Sequence, residues 1–240
     1  MLRIVFFYVL FFPWTALVIL CGAPFSLLRA DYMHNSGRLW ARVTLWLAGV
    51  RLQVSGHEHL PVNGQPVIFA GNHQSNFDIL CYFAGLPLQF RWMAKEELFQ
   101  VPLFGFAMRR SGYIAIDRSN GRKAMKGITL AAERIQSGTS VVIFPEGTRS
   151  YDGKLQEFKK GGFLIALKAR VPIVPVAISG SWQVMHKGEF KFRPGIIRLQ
   201  ILAPIETASL TIRDSERLLD QVSSVLTEAI EKESHFANIN

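Results

Sequence analysis

Two cysteines in 240 residues leave no material for a disulfide framework. Cys21 falls in an apolar run, Cys81 in a helical stretch, and no CxxC occurs, so a reducing compartment is expected for the folded body. Acidic side chains are also scarce, with 18 Asp and Glu against 27 Lys and Arg, a formal charge of +9. Such a balance suits anionic membrane surfaces, phosphate-bearing substrates or nucleic acid. No zinc-finger or ribonucleoprotein signature accompanies it, so no nucleic-acid partner is expected. Missing too are the GxSxG elbow, the Walker loop, GxGxxG and HExxH, the marks of the commonest hydrolases, nucleotide binders and zinc peptidases. His57-Glu58-His59 has a poor zinc spacing for a turn, and neither a metal nor a cofactor is expected. No internal repeat or low-complexity segment appears, and no linker follows residue 55.

What the chain has in abundance is apolar residues, at 49%. Ile4 to Leu28 is an uncharged run of 25 residues, enough to cross a hydrocarbon core of roughly 30 Å. It is too long for a signal peptide and lacks a clean cleavage site. Arg29, Arg38 and Arg42 follow it, against Arg3 before it, which puts the downstream domain on the cytoplasmic side. Pro13 and Pro24 argue against a straight span. Leu39, Val43, Trp46, Leu47 and Val50 then form a helical stripe. Two arrangements are open: a helical hairpin dipping into one leaflet, or one spanning helix followed by a core helix. The expected division is a membrane-anchoring segment, 1–50, and a catalytic domain, 51–240.

After residue 51, short β-rich runs alternate with helical ones. Strands are expected near 52–54, 67–70, 90–94, 111–116, 141–144, 172–178 and 195–202. Helices are expected at 75–85, 121–137, 160–169 and 213–232, the last with Leu218, Val222, Val225 and Ala229 on its apolar side. The alternation predicts an α/β domain, a largely parallel central sheet flanked by helices, preceded by the N-terminal apolar helical anchor.

Four elements carry the chemistry. Gly71-Asn72-His73-Gln74-Ser75-Asn76-Phe77-Asp78 follows a strand apolar on every residue, where α/β sheets bind ligands. A helix folding back over its entry loop sets the Asp78 carboxylate beside one imidazole nitrogen of His73, leaving the other to take a proton. The same residues also read as plain loop and cap chemistry. Phe144-Pro145-Glu146-Gly147-Thr148-Arg149-Ser150 follows a second such strand. Arg149 suits a phosphate, or else Glu146 and Arg149 close a surface turn. Gly112 to Arg118 is an alternating strand ending in Asp117 and Arg118, a ligand contact or an internal ion pair. Val171-Pro172-Ile173-Val174-Pro175-Val176 carries two prolines, which imply an edge or bulge; it is structural or an apolar wall for a lipid tail.

In this order and spacing, these elements resemble the glycerolipid acyltransferase family across residues 50–205. His73 and Asp78 match its histidine, four residues, aspartate motif, and 144–150 its FPEGTRS motif. The resemblance implies transfer of a fatty acyl group from a thioester, acyl-CoA or acyl carrier protein, to a hydroxyl of a phosphorylated membrane glycerolipid such as 1-acyl-glycerol-3-phosphate. Glycerol-3-phosphate, a lysophospholipid or a lyso-aminolipid are alternative acceptors, and a non-catalytic lipid carrier is a rival from another class. It further implies that His73 is the base and Asp78 orients it. Arg149 grips the phosphate, and Glu146, Gly147 and Thr148 belong to the acceptor site. Lys95 shares the phosphate and Arg118 is a further contact. Lys159 and Lys160, before a helix start, are possible anion contacts. A thioester is already activated, so no acyl-enzyme is required and Ser75 is not needed as a nucleophile.

Overall fold

The computed structural model describes residues 2–117 and 121–239. Two helices, α1 (Leu2–Ser26) and α2 (Ala30–Ala48), form a hairpin that leads into β1 (Val50–Ser55). Then follow β2 (Ile68–Gly71), α3 (Phe77–Gly85), β3 (Arg91–Lys95), α4 (Phe104–Arg110), β4 (Ile114–Ile116), α5 (Gly121–Gln136) and β5 (Val141–Ile143). The chain continues with α6 (Gly161–Ala169), β6 (Ile173–Ser179), α7 (Ser181–Val184), β7 (Gly195–Ile201) and α8 (Ser215–Ile239). One seven-stranded sheet has the order β1-β7-β6-β2-β5-β3-β4. The five strands β6 to β4 are mutually parallel; β7 joins β6 antiparallel and takes β1 parallel to itself. The carboxyl ends of the five therefore share an edge with the start of β1, where the hairpin enters.

The sheet is coated on both faces, which is why β2 and β5 are apolar at successive positions. On one face lie α1, α2 and α3, with Phe7, Leu45, Phe83, Phe90 and Trp92 in one core cluster. On the other, α5, α6 and α8 bury Ile135, Phe163, Leu218 and Val222. The hairpin is thus part of the folded body. In α8 the buried stripe runs Leu218, Val222, Leu226 and Ala229, so Leu226 takes the place expected for Val225; a step of four keeps to one helix face. α4 and α7, both under eight residues, were not legible from periodicity.

Pro175 is neither at an edge nor in a bulge, because β6 sits between β2 and β7. Its carbonyl accepts from the Leu202 N–H beyond the end of β7, and a residue's N and C=O point to the same side of a strand. The missing donor therefore faces the β7 side, just past the end of that strand's regular ladder at Val176–Ile201. No bond to β2 is lost. Ile173, Val174 and Val176 are fully buried, so this block is core and not a lipid wall.

α1 is one continuous helix despite Pro13 and Pro24, and it is long and apolar enough to cross a membrane. Yet it lies along the body. Near its start Arg3 donates to the Ala48 carbonyl at 3.2 Å and the Tyr8 hydroxyl to the Phe190 carbonyl at 2.7 Å. At its end the Ser26 carbonyl accepts from Arg110 at 2.6 Å. Its opposite side displays Val5, Phe6, Val9, Phe12, Leu17, Leu20 and Phe25 to the surroundings.

Candidate active site

The first loop is fixed before any side chain reaches a ligand. Gly71 closes β2 where a Cβ would collide with the Tyr82 hydroxyl and the Val176 carbonyl. Asn72, fully buried, clamps the loop to β6: its amide donates to the Ile178 carbonyl and its oxygen accepts the Ile178 N–H, both at 2.8 Å. The chain then turns into α3, whose first turn carries Asp78. Asp78 Oδ2 accepts the backbone N–H of Gln74 at 2.7 Å and of Ser75 at 2.8 Å. The same oxygen lies 2.8 Å from His73 Nδ1. An oxygen serving two backbone donors is an acceptor toward the ring as well, so Nδ1 carries a hydrogen, and in the neutral tautomer this selects, the lone pair is on Nε2. The imidazole lies flat on Phe144, with centroids 3.9 Å apart and planes 6° apart. Phe144 in turn meets Trp92 and Tyr82 at 5.5 and 5.6 Å. These rings fix the imidazole plane on the sheet face that carries α1 and α2.

The second loop leaves β5, the neighbour of β2. Glu146 turns inward and is 2% exposed. One carboxylate oxygen accepts the His73 N–H at 2.6 Å, the other the Gln156 N–H at 3.1 Å. Burial pushes this carboxyl up to about 7, against the pull of those two donors and with a smaller push from Asp78. Glu146 is a strut between the two loops. Each oxygen accepts one backbone N–H, so the carboxylate holds together the two loops that carry the expected base and the expected acceptor site. The Ser150 N–H adds a second tie, to the His73 carbonyl at 2.8 Å. Gly147 has φ +73°, the left-handed region that glycine occupies without strain, and its N–H returns to the Phe144 carbonyl. That turn points Thr148 and Arg149 outward. Arg149 is half-buried and has no hydrogen bond or ion pair with another described residue. The turn is therefore not closed by a Glu146–Arg149 pair.

Of the remaining expected residues, Lys95 ends β3, next to β5 on the same sheet edge, and is exposed. Arg118 lies outside the described residues. Asp117 pairs with Lys123 at 2.8 Å. Lys160 pairs with Glu216 at 2.5 Å, which removes it as a free anion contact. The Ser75 hydroxyl is fully buried and donates to the Met185 carbonyl at 2.8 Å, so it is not available as a nucleophile. One residue at the site had no sequence signal. Lys187, after α7, donates to Thr148 Oγ1 at 3.0 Å and sits 3.6 Å over the Tyr151 ring. It lies outside every motif block, 39 positions from Thr148.

The arrangement has a defined chemical capacity. An imidazole with one nitrogen held by a carboxylate can, in its neutral form, accept a proton at the other, and the carboxylate stabilises the charged ring. An unpaired guanidinium and an exposed ammonium on the same edge attract a phosphate.

A family model described as Acyltransferase matches residues 51–179. The chain is 34% identical over 193 residues to the chloroplastic 1-acyl-sn-glycerol-3-phosphate acyltransferase BAT2 of Brassica napus, a match covering 78% of this chain and 56% of that protein. It is 33% identical over 218 residues to 1-acyl-sn-glycerol-3-phosphate acyltransferase alpha of Homo sapiens, covering 89% and 77%. The match spans little more than half of the chloroplast relatives, 56% of the Brassica napus protein and 57% of its Arabidopsis thaliana counterpart. Among solved structures, it is similar to the 1-acyl-sn-glycerophosphate (LPA) acyltransferase of Thermotoga maritima, with TM-score 0.81 and 27% identity over 97% of this chain and 95% of that one.

Proposed function

This chain belongs to the acyltransferase family, and we propose that it moves a fatty acyl group from an acyl thioester to the free hydroxyl of 1-acyl-glycerol-3-phosphate, giving phosphatidic acid. The observation that carries this reading is the pairing, on one sheet edge, of an imidazole whose Nδ1 is held at 2.8 Å by a buried carboxylate with the unpaired Arg149. His73 Nε2 takes the proton of the acceptor hydroxyl as its oxygen attacks the thioester carbonyl. The tetrahedral intermediate then expels the thiolate, which receives that proton from His73. No acyl-enzyme is involved, in line with the buried, bonded Ser75. Arg149 and Lys95 hold the acceptor phosphate so that the hydroxyl meets Nε2. The donor thiol is that of coenzyme A or acyl carrier protein.

The membrane reading is that α1 lies in one leaflet on the cytoplasmic side. Both ends of α1 are bonded to one body, and its free side is apolar. A helix of 25 residues held along its length against a domain has no freedom to project across a bilayer of roughly 30 Å. The imidazole faces the same side, so a lysolipid reaches it without leaving the interface.

The test is a panel: purified full-length protein in detergent, labelled acyl-CoA or acyl carrier protein as donor, and lysophosphatidic acid, glycerol-3-phosphate, lysophosphatidylcholine or monoacylglycerol as acceptor. Phosphatidic acid from lysophosphatidic acid at the highest kcat/KM is the expected result. Binding without turnover on any acceptor would leave a lipid carrier, and release of free fatty acid as the main product would leave a hydrolase.

A further inference from the structure

Beyond α1, the body exposes a second apolar ridge. After Lys95 the chain makes a short turn, Glu96–Gln100, and then enters α4. From Gln100 to Met108 there is no charged residue. Phe99, Gly105 and Met108 face inward and are buried. Leu98, Val101, Leu103, Phe104 and Phe106 face outward, each 40–50% exposed. Five large apolar side chains outward within nine positions is a patch and not the scattered apolar surface every protein has. Nor is the ridge loosely built. Arg109 donates to the Phe99 carbonyl, Gly105 lets α4 approach the Phe99 backbone where a Cβ would collide, and Leu103 holds φ +58° to start the helix.

The ridge continues the surface of α1. Arg110 donates through Nη2 to the Ser26 carbonyl and through Nε to its hydroxyl, at 2.6 and 3.0 Å, binding the end of α4 to the end of α1. Exposed Phe25, Leu27 and Leu28 stand at that junction, and exposed Arg29 and Arg109 flank it. Apolar tips rimmed by arginine suit the boundary between acyl chains and anionic headgroups.

We propose that residues 98–106 are a second membrane-seating element, entering the same leaflet as α1, with an anionic phospholipid surface as the occupant of the ridge. Two ribs fix the tilt of the body where one helix would leave it free to roll about its axis. They also set Lys95, three residues before Leu98, at headgroup depth, where a lysolipid's phosphate lies. The inference rests on the membrane reading of α1 and deepens it.

The test measures depth in the full-length protein, with Cys21→Ser and the fully buried Cys81 left in place. An environment-sensitive fluorophore is attached to Phe104→Cys on the ridge, Leu17→Cys on α1, or Ile212→Cys on the opposite face of the body. Each protein is bound to vesicles of phosphatidylcholine and phosphatidylglycerol. The labels at 104 and 17 should be quenched by nitroxide lipids and shielded from aqueous iodide, with 212 the reverse. Iodide access at 104 equal to that at 212, with 17 shielded, overturns the inference and leaves the α1 reading standing; access at both 104 and 17 overturns both. In parallel, Phe104→Gln with Phe106→Gln should lower turnover several-fold on acceptor embedded in vesicles and leave turnover on detergent-dispersed acceptor unchanged. An equal loss in both, or in neither, speaks against seating. The depth readings need no turnover, so they stand or fall apart from the acyl-transfer assignment.

Discussion

The loops after β2 and β5 leave neighbouring strands on one sheet edge, yet they spend their polar atoms in opposite ways. In 72–78 the polar side chains of Asn72, His73, Gln74, Ser75 and Asp78 each bond inside the protein, while His73 Nε2 and the buried Asp78 Oδ1 make no hydrogen bond to another described residue. In 144–150 the acid turns inward and the guanidinium has no hydrogen bond or ion pair among the described residues. On the proposed function the difference separates two tasks. A proton acceptor must be rigid and correctly oriented, and internal bonds hold its loop. A phosphate grip must offer unspent charge, and its loop leaves a guanidinium unbonded to the described residues. Glu146 joins the two loops.

The sharpest way to break this division is at the base. His73→Ala should lower kcat by at least about 10²-fold, since a general base contributes roughly 10²–10⁴-fold, with thermal unfolding nearly unchanged. Asp78→Asn should approach that loss, because the amide carries no charge to orient His73 and stabilise its imidazolium. A His73→Ala protein keeping more than about a tenth of wild-type kcat would remove His73 from the chemistry.

Arg149→Ala comes next. Losing one partner of a charge-assisted pair costs roughly 2–5 kcal/mol, read chiefly as a raised KM for lysophosphatidic acid. Arg149→Lys should recover part of it, lacking the two-pronged geometry. Monoacylglycerol, which has no phosphate, should be used as poorly by the variant as by wild type. Equal harm to both acceptors would mean that Arg149 supports the fold.

Glu146→Gln probes the strut. The side-chain amide can accept one of the two backbone N–H groups and opposes the other, a buried mismatch of about 1–3 kcal/mol in stability. The pH dependence has a definite sign. Burial raises this carboxyl from 4.5 to about 7, so between those values the native state holds more proton than the unfolded chain. Wild-type stability relative to Glu146→Gln should therefore fall as pH rises through that window and level off above it. A difference in denaturation midpoint that stays flat across the window would show that the carboxyl does not titrate there. The smallest effect is expected at Lys187, whose contact with Tyr151 is worth about 1 kcal/mol, so Lys187→Ala should change KM by no more than about fivefold.

The residues of the site were largely legible in the sequence, and their connections were not. His73, Asp78 and Arg149 stand in short motifs after strands buried on both faces, and such strands show as unbroken apolar runs because both sides are covered. The turn that brings Asp78 back to His73 is local, spanning five residues, and local geometry is readable. The direction of Glu146 was not legible, because motif spacing says nothing of it: its carboxylate meets His73 across 73 positions, a contact made only when β2 and β5 pair. Lys187 was invisible for the same reason. Pro175 read as an edge because a missing donor is normally costly, and only the strand order shows that its bare side faces the end of β7.

By itself, then, the sequence determined the α/β pattern, the apolar N-terminal segment, and a histidine, an aspartate and an arginine placed at strand ends. Those features depend on local periodicity and on residues a few positions apart, where the chain has little choice. Tertiary structure alone decided that the reversed direction of β1 brings the hairpin to the site's edge of the sheet. It also decided that α1 lies along the body instead of crossing away from it, and that Glu146 faces inward while Arg149 faces out. Each of these depends on which distant strands pair and which faces are covered. That choice is made by packing the whole apolar core at once, and no window of sequence contains it.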